Sequence, residues 1–267
     1  ALVWMPPIGE LKRYPNLKAI FSIGAGCDHI LRDPDVPKDL PIVRLVDDVS
    51  VRDMSHYAVH WALHFQRNFD LYAEQQRNGK WQRHTYRDVS EHQVGVLGLG
   101  GMGTPIARQF VSLGFKVSGW SRTLKSVDGV QCYAGLDELP DILGSSSIIV
   151  SVLPLTSETD GLLNRNRFAK MLKGSFIINI GRGPVINDTD LIAALDSGQI
   201  AAAALDVFAV EPLPSEHPYW THPRVFVTPH AAGPTQDISA IEQIVSNIQK
   251  LEDGEAPHPV WNWDLGY

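Results

Sequence analysis

A glycine turn set between a strand and a helix constrains this chain more than any other feature. Val94-Gly95-Val96-Leu97 is a short apolar run of the kind that fills a buried strand, and it leads directly into Gly98-Leu99-Gly100-Gly101-Met102-Gly103. Residues 105–113 follow with apolar side chains at helical spacing. In such a unit Gly98 permits the tight turn, Gly100 lets the backbone approach a pyrophosphate, and Gly103 allows the helix to pack on the sheet. Gly101 and Met102 stand where the first N–H groups of the helix are open to phosphate oxygens. The turn therefore predicts a dinucleotide site in a doubly wound α/β sheet. It implies no particular reaction.

The rest of the chain agrees with that fold class. Strands are predicted at 93–97, 115–119, 147–153, 175–180, 202–207 and 225–228, with helices at 105–113, 164–171 and 189–197 between them, as in a buried parallel sheet. The last of these helices has residues 187–189 as cap candidates and Gly198 where a left-handed end is expected. The first fifty residues repeat the pattern on a smaller scale, with strands at 1–4, 19–23 and 42–45. Two longer helices, 54–76 and 236–252, are read as crossings between two domains separated by a cleft. The expected division is a Rossmann nucleotide domain over 56–235, with an interdomain arm, and a smaller α/β substrate domain from 1–55 and 236–267.

Composition removes several classes of function. The chain has 267 residues and a net charge of −7 with no basic run, so a nucleic-acid partner is not expected. No apolar stretch approaches a membrane span, and residues 1–4 lack the charged and long apolar regions of a signal peptide. With two cysteines, Cys27 and Cys132, the expected compartment is reducing and cytoplasmic.

The strand after the glycine turn bears on the cofactor. A carboxylate at its end would accept hydrogen bonds from ribose hydroxyls, whereas a 2′-phosphate calls for cationic and hydroxyl donors. Here the strand runs into Trp120-Ser121-Arg122-Thr123, with Lys125 nearby and no carboxylate before Asp128. NADPH is therefore predicted over NADH, from Ser121, Arg122 and Thr123.

Three polar residues stand just past later strands, where ligands collect in open α/β sheets: Arg182, Glu211 and His230. Reduction of a 2-oxo acid needs a cation for the carboxylate and the developing oxyanion, and a proton donor at the carbonyl oxygen. The planar, permanently charged Arg182 suits the first role. His230 suits the second, since an adjacent Glu211 would raise its pKa and keep the imidazolium available. Taken singly, each residue also reads as structural or as a surface charge.

The strings Asn179-Ile180-Gly181-Arg182-Gly183, 205–213 and Thr228-Pro229-His230, with the glycine turn upstream and 151–156 between, resemble the D-isomer-specific 2-hydroxyacid dehydrogenases through nearly the whole chain. Residues 120–123, 24–28 and Gly266-Tyr267 are most similar to the bacterial type A branch that reduces glyoxylate and hydroxypyruvate. The resemblance implies that Arg182 binds substrate, that His230 is the proton donor and that Glu211 is its partner. It also implies that Ala25 and Gly26 offer backbone N–H groups to the substrate carboxylate, and that Asp206 holds the nicotinamide carboxamide. Leu153, Pro154, Leu155, Ile180, Gly181 and Gly233 complete the expected cofactor contacts. Trp4 is a candidate for shaping the pocket. The implied smaller domain is flavodoxin-like, without the strand and helix that usually precede the segment matching 1–4, so a longer natural chain is expected. A homodimer is implied as well. Two alternatives stay open, a dinucleotide-sensing protein with incidental turnover and a dehydrogenase of a bulkier 2-oxo acid.

His56, His60 and His64 recur at helical spacing, but no carboxylate or cysteine completes a ligand set, and no metal is expected. Trp61, Phe65, Trp81, Tyr57 and Tyr72 read as core or dimer surface rather than as a ligand stack.

Overall fold

The computed structural model describes residues 1–263 and 266; Tyr267, used above for the resemblance, lies outside the described residues. The chain divides into two compact units. The smaller comprises Ala1–Val51, Pro154–Thr156 and the chain from Pro234, and the larger comprises Arg52–Leu153 and Ser157–Gly233.

The smaller unit carries three parallel strands in the order β1 (Leu2–Val3), β2 (Ile20–Ser22), β3 (Ile42–Val43), with the short helix α1 (Asp28–Leu31) after β2. The central strand β2 is buried along its whole length, with Ile20 and Phe21 in apolar cores and the Ser22 hydroxyl satisfied by hydrogen bonds within the loop that follows. The next helix, α2 (Asp48–Gln66), starts earlier than its apolar pattern suggests. The Asp47 carboxylate accepts the Val49 and Ser50 N–H groups, both at 3.0 Å, and so caps the first turn.

The continuous helix expected over 54–76 is instead two helices. The backbone leaves α2 at residue 67, and α3 (Phe69–Arg77) begins after Asn68, whose φ of +58° lies in the left-handed region. Asparagine enters that region at little expense, so a single residue can break the helix without disturbing its apolar periodicity.

The larger unit holds seven parallel strands: β4 (Gln93–Leu97), β5 (Lys116–Ser121), β6 (Val130–Ala134), β7 (Ile148–Ser151), β8 (Ser175–Asn179), β9 (Ile200–Leu205) and β10 (Val225–Val227). Their order across the sheet is β10-β9-β8-β7-β4-β5-β6. The order reverses direction between β4 and β7, and open α/β sheets bind ligands at the carboxyl ends of the strands beside such a reversal.

Helices α4 (Gly103–Ser112), α5 (Gly135–Ser145), α6 (Arg165–Phe168) and α7 (Asp188–Asp196) connect the strands. Alternate strand residues feed two cores on opposite faces. Val94, Val96, Ile148, Val150 and Ile178 pack with Ile106 and Phe110 of α4 and Trp61 and Phe65 of α2. Leu97, Ile149 and Ile177 pack with Leu139 and Ile142 of α5 and Leu191 and Leu195 of α7. Asn187 caps α7 by accepting the Asp190 N–H at 3.0 Å, and Gly198 beyond it has a φ of +71°. The last helix, α8 (Asp237–Glu252), belongs to the smaller unit.

Candidate active site

The glycine turn leaves β4 at the sheet reversal. Gly98 has a φ of +106°, a conformation that other residues resist, and its N–H donates to the Trp120 carbonyl at 2.8 Å. Gly103 is required by contact, because a Cβ there would stand 1.7 Å from the Gly98 carbonyl oxygen. At Gly100 and Gly101 a Cβ would meet nothing within 4 Å, so these two glycines leave an open cradle over the turn. No side chain caps the N-terminus of α4. A diphosphate needs just this combination of bare backbone, space and a helix start. Leu153, 4% exposed, supports the turn from the core side.

Ser121 ends β5 and donates its hydroxyl to the Thr123 carbonyl at 2.8 Å, while Arg122 and Thr123 are exposed. The loop thus presents a cation and hydroxyls, without a carboxylate, at the strand end beside the turn.

Arg182, Glu211 and His230 follow β8, β9 and β10, which are neighbours in the sheet. Arg182 lies between Gly181 and Gly183, both buried. A Cβ on Gly183 would overlap the Phe208 backbone at 2.0 Å, so the turn after β8 is pressed against the loop that follows β9. Asn179, a polar residue at the end of an apolar strand, donates its side-chain amide to the Arg182 carbonyl at 3.0 Å and accepts the Gly181 N–H at 3.3 Å. Asn179 has no predicted role; its one signal in the sequence is a polar residue inside the apolar string 176–180.

Glu211 binds His230 directly. Its Oε1 accepts the Phe208 N–H at 2.9 Å, and its Oε2 pairs with His230 Nδ1 at 2.8 Å. The hydrogen bond to Glu211 is the main force on His230 and raises its pKa above the ordinary imidazole value, against the opposing effects of partial burial and the Arg182 charge. Partial burial works against the Glu211 carboxylate, yet the bonds from His230 and the Phe208 amide outweigh it and hold its pKa below the ordinary range. Arg182 acts electrostatically on both groups, so the three residues share one local field. With Nδ1 committed to Glu211, Nε2 of His230 is the nitrogen left to exchange a proton with a ligand. The imidazole side chain is 48% exposed, which gives a ligand access to it.

Asp206 is 1% exposed and accepts the Ala231 N–H at 2.8 Å and the Ala232 N–H at 2.9 Å. It therefore holds the loop carrying His230, a contact that residue identity alone did not reveal.

In the smaller unit, Gly24, Ala25 and Gly26 form the loop after β2. Ser22 Oγ accepts the Gly24 N–H at 3.1 Å and donates to the Gly26 carbonyl at 3.2 Å, and Arg44 Nε donates to the Ala25 carbonyl at 2.7 Å. Trp4 is 55% exposed and lies against this loop, its ring 4.3 Å from that of His29 and 3.0 Å from where a Gly24 Cβ would stand.

Two of the three histidines of α2 lie together, the His60 and His64 rings 6.0 Å apart. His56 and His60 are exposed, while the His64 ring packs edge-on to Phe226 at 5.3 Å. Among the described residues no group of three His, Cys, Asp or Glu side chains is placed to hold a metal ion. The aromatic set separates: Trp61 and Phe65 are core residues, whereas Trp81 is fully exposed. No helix among the described residues is long and apolar enough to cross a membrane.

Residues 59–232 match the family profile described as D-isomer specific 2-hydroxyacid dehydrogenase, NAD binding domain. A glyoxylate/hydroxypyruvate reductase A of Yersinia enterocolitica is 42% identical over 262 residues, covering 96% of this chain and 84% of that protein. A D-isomer specific 2-hydroxyacid dehydrogenase from Xanthobacter autotrophicus, solved in complex with NADPH and MES, superposes with a TM-score of 0.96 at 44% identity, covering 100% of this chain and 84% of that one. An NADPH-dependent glyoxylate/hydroxypyruvate reductase from Sinorhizobium meliloti, solved with NADP and sulfate, gives 0.95 at 35% identity, with coverage of 100% and 85%.

Proposed function

Because the chain belongs to the D-isomer specific 2-hydroxyacid dehydrogenase family, we propose that it reduces small 2-oxo acids, glyoxylate and hydroxypyruvate foremost, using NADPH. The observation that carries this reading is the His230–Glu211 pair at 2.8 Å in the field of Arg182, at the carboxyl ends of adjacent strands. That set suits a reaction in which a carbonyl oxygen gains a proton as negative charge develops on it.

The cofactor would lie on Gly98, Gly100, Gly101, Met102 and Gly103 through its diphosphate and on Ser121, Arg122 and Thr123 through its 2′-phosphate. Leu153, Pro154, Leu155, Ile180, Gly181, Asp206 and Gly233 would contact its remaining parts. When bound, it supplies the hydride equivalent for the carbonyl carbon. Arg182 anchors the substrate carboxylate and stabilises the developing oxyanion; within the smaller unit, the Ala25 and Gly26 N–H groups and the Trp4 ring are its own candidates for substrate contact. His230 donates its Nε2 proton to the carbonyl oxygen, and Glu211 stabilises the imidazolium until that step and orients the ring afterwards. Cys27 and Cys132 form no disulfide, and a reducing cytoplasmic setting is part of this proposal.

Steady-state kinetics on glyoxylate, hydroxypyruvate, pyruvate and phenylpyruvate, each with NADPH and NADH, test this reading. The expected result is the highest kcat/KM for glyoxylate or hydroxypyruvate, with NADPH preferred by about tenfold or more, one or more phosphate contacts' worth of binding energy. Preference for NADH, or turnover of phenylpyruvate alone, would overturn the corresponding assignment.

A further inference from the structure

Tyr57 lies outside the acid–base pair, yet its hydroxyl reaches the strand end from which His230 emerges. It stands 2.6 Å from Thr228 Oγ1, and Thr228 Oγ1 in turn donates to Asp206 Oδ1 at 2.5 Å. Since an ionised carboxylate only accepts, the direction of the chain is set: Tyr57 donates to Thr228 and Thr228 to Asp206. Asp206 also receives the Ala231 and Ala232 N–H groups, and its carbonyl accepts the His230 N–H at 2.9 Å. His230 itself has a φ of +52°, a left-handed backbone that a histidine keeps only when its surroundings impose it. The polar network grips the chain on both sides of that residue, at Thr228 before it and at Ala231 and Ala232 after it.

We propose that Tyr57 and Thr228 are positioning residues, whose hydroxyl chain onto Asp206 holds the left-handed turn at His230 and so keeps Nδ1 on Glu211. The inference rests on the proposed reductase reading only for its catalytic consequence; the geometry it asserts is independent of any substrate. Glu211, Arg182 and Asp206 are the charged groups acting on the His230 ring. Of these, Glu211 acts through a direct hydrogen bond, which weakens steeply with misalignment. A loop that relaxes therefore loses its hold on the imidazolium first. The burial that pushes the Tyr57 phenol up to about 12 keeps its proton in place as the donor throughout the neutral range.

The test uses Tyr57→Phe, Thr228→Val and Thr228→Ser, with the His230 imidazole titrated by NMR in histidine-labelled protein and its signal identified by loss in His230→Gln. Tyr57→Phe leaves the ring to pack against Trp61, whose centroid lies 6.2 Å away, so only the hydroxyl is removed. The expected result is a His230 titration moved to lower pH in Tyr57→Phe and Thr228→Val, and returned toward the parent in Thr228→Ser, which keeps the donor. For glyoxylate reduction with NADPH, kcat should fall about tenfold in the first two variants, the worth of one buried hydrogen bond, with the KM for NADPH within about twofold. An unmoved His230 titration in folded Tyr57→Phe overturns the proposal, and that variant decides the matter if Thr228→Val does not fold. If the parent reduces no 2-oxo acid, the reductase reading fails while the titration still judges the hydroxyl chain.

Discussion

His230 can act as an acid only while its imidazole is protonated, and the Glu211 carboxylate at 2.8 Å favours that form. The folded-state pKa is raised, so the ring stays protonated to higher pH than a free histidine and loses its proton as pH climbs through the raised value. The kcat/KM for reduction should therefore be level below that point and fall above it. Glu211→Gln removes the largest raising influence, so the fall should move to lower pH, and kcat should drop about 10²- to 10⁴-fold as for loss of an acid–base partner. A pH–rate profile with an unmoved alkaline limb would separate Glu211 from the proton donor. At this scale the sequence was informative about residue types: an arginine, a carboxylate and a histidine past three strands were legible as candidates. It gave Asn179 and Thr228 no role beyond their place in the resembling strings and read Tyr57 only as core or dimer surface, because an amide at a strand end, a tyrosine on a helix and a threonine before a proline acquire meaning only from the atoms they meet.

At the level of elements, the unit from β4 through the glycine turn to α4 depends on a backbone contact. A Cβ at Gly103 would lie 1.7 Å from the Gly98 carbonyl, and no side-chain adjustment relieves a clash with main chain. Gly103→Ala should push α4 away from β4, lower stability by about 1–3 kcal/mol as overpacked sites do, and weaken NADPH binding more than it changes kcat. Fluorescence titration with NADPH and a denaturant melt would read both effects. Strand β4 was legible to the residue because both its faces are buried and its run is uninterrupted. The neighbouring pair β6 and α5 was not. Strand β6 is only partly buried, and α5 contains Pro140 and a glycine near each end, Gly135 and Gly144, so neither shows a clean period. Their places follow from packing on β5, a contact between segments that propensity does not record.

Across the whole molecule, the segment after α2 exposes apolar and aromatic groups: Phe69 at 48%, Tyr86 at 53% and Trp81 at 100%. Arg67 lies 4.3 Å from the Tyr86 ring centre, but the Trp81 ring is left entirely to solvent within one chain. A tryptophan so placed is a common anchor for a protein partner, and we propose that a second copy of the chain covers this arm. Sedimentation should give about twice the 29.5 kDa of the chain, and Trp81→Asp should shift the population toward monomer with kcat/KM per site reported alongside. A monomer at micromolar concentration in the parent protein would end that reading.

What the sequence determined by itself was the class of fold, the glycine turn with its bare backbone at a helix start, and the residue types available for reducing a carbonyl. Each depends on local covalent properties, namely the conformational freedom of glycine, the period of apolar residues and the charge and acidity of single side chains. Tertiary structure decided the rest: that β8, β9 and β10 lie side by side so that Arg182, Glu211 and His230 share one field, that a left-handed His230 is held by Asp206, and that Asn68 ends a helix whose pattern runs on. Those outcomes turn on distances between residues far apart in the chain, and hydrogen bonding and clash act over only a few ångströms.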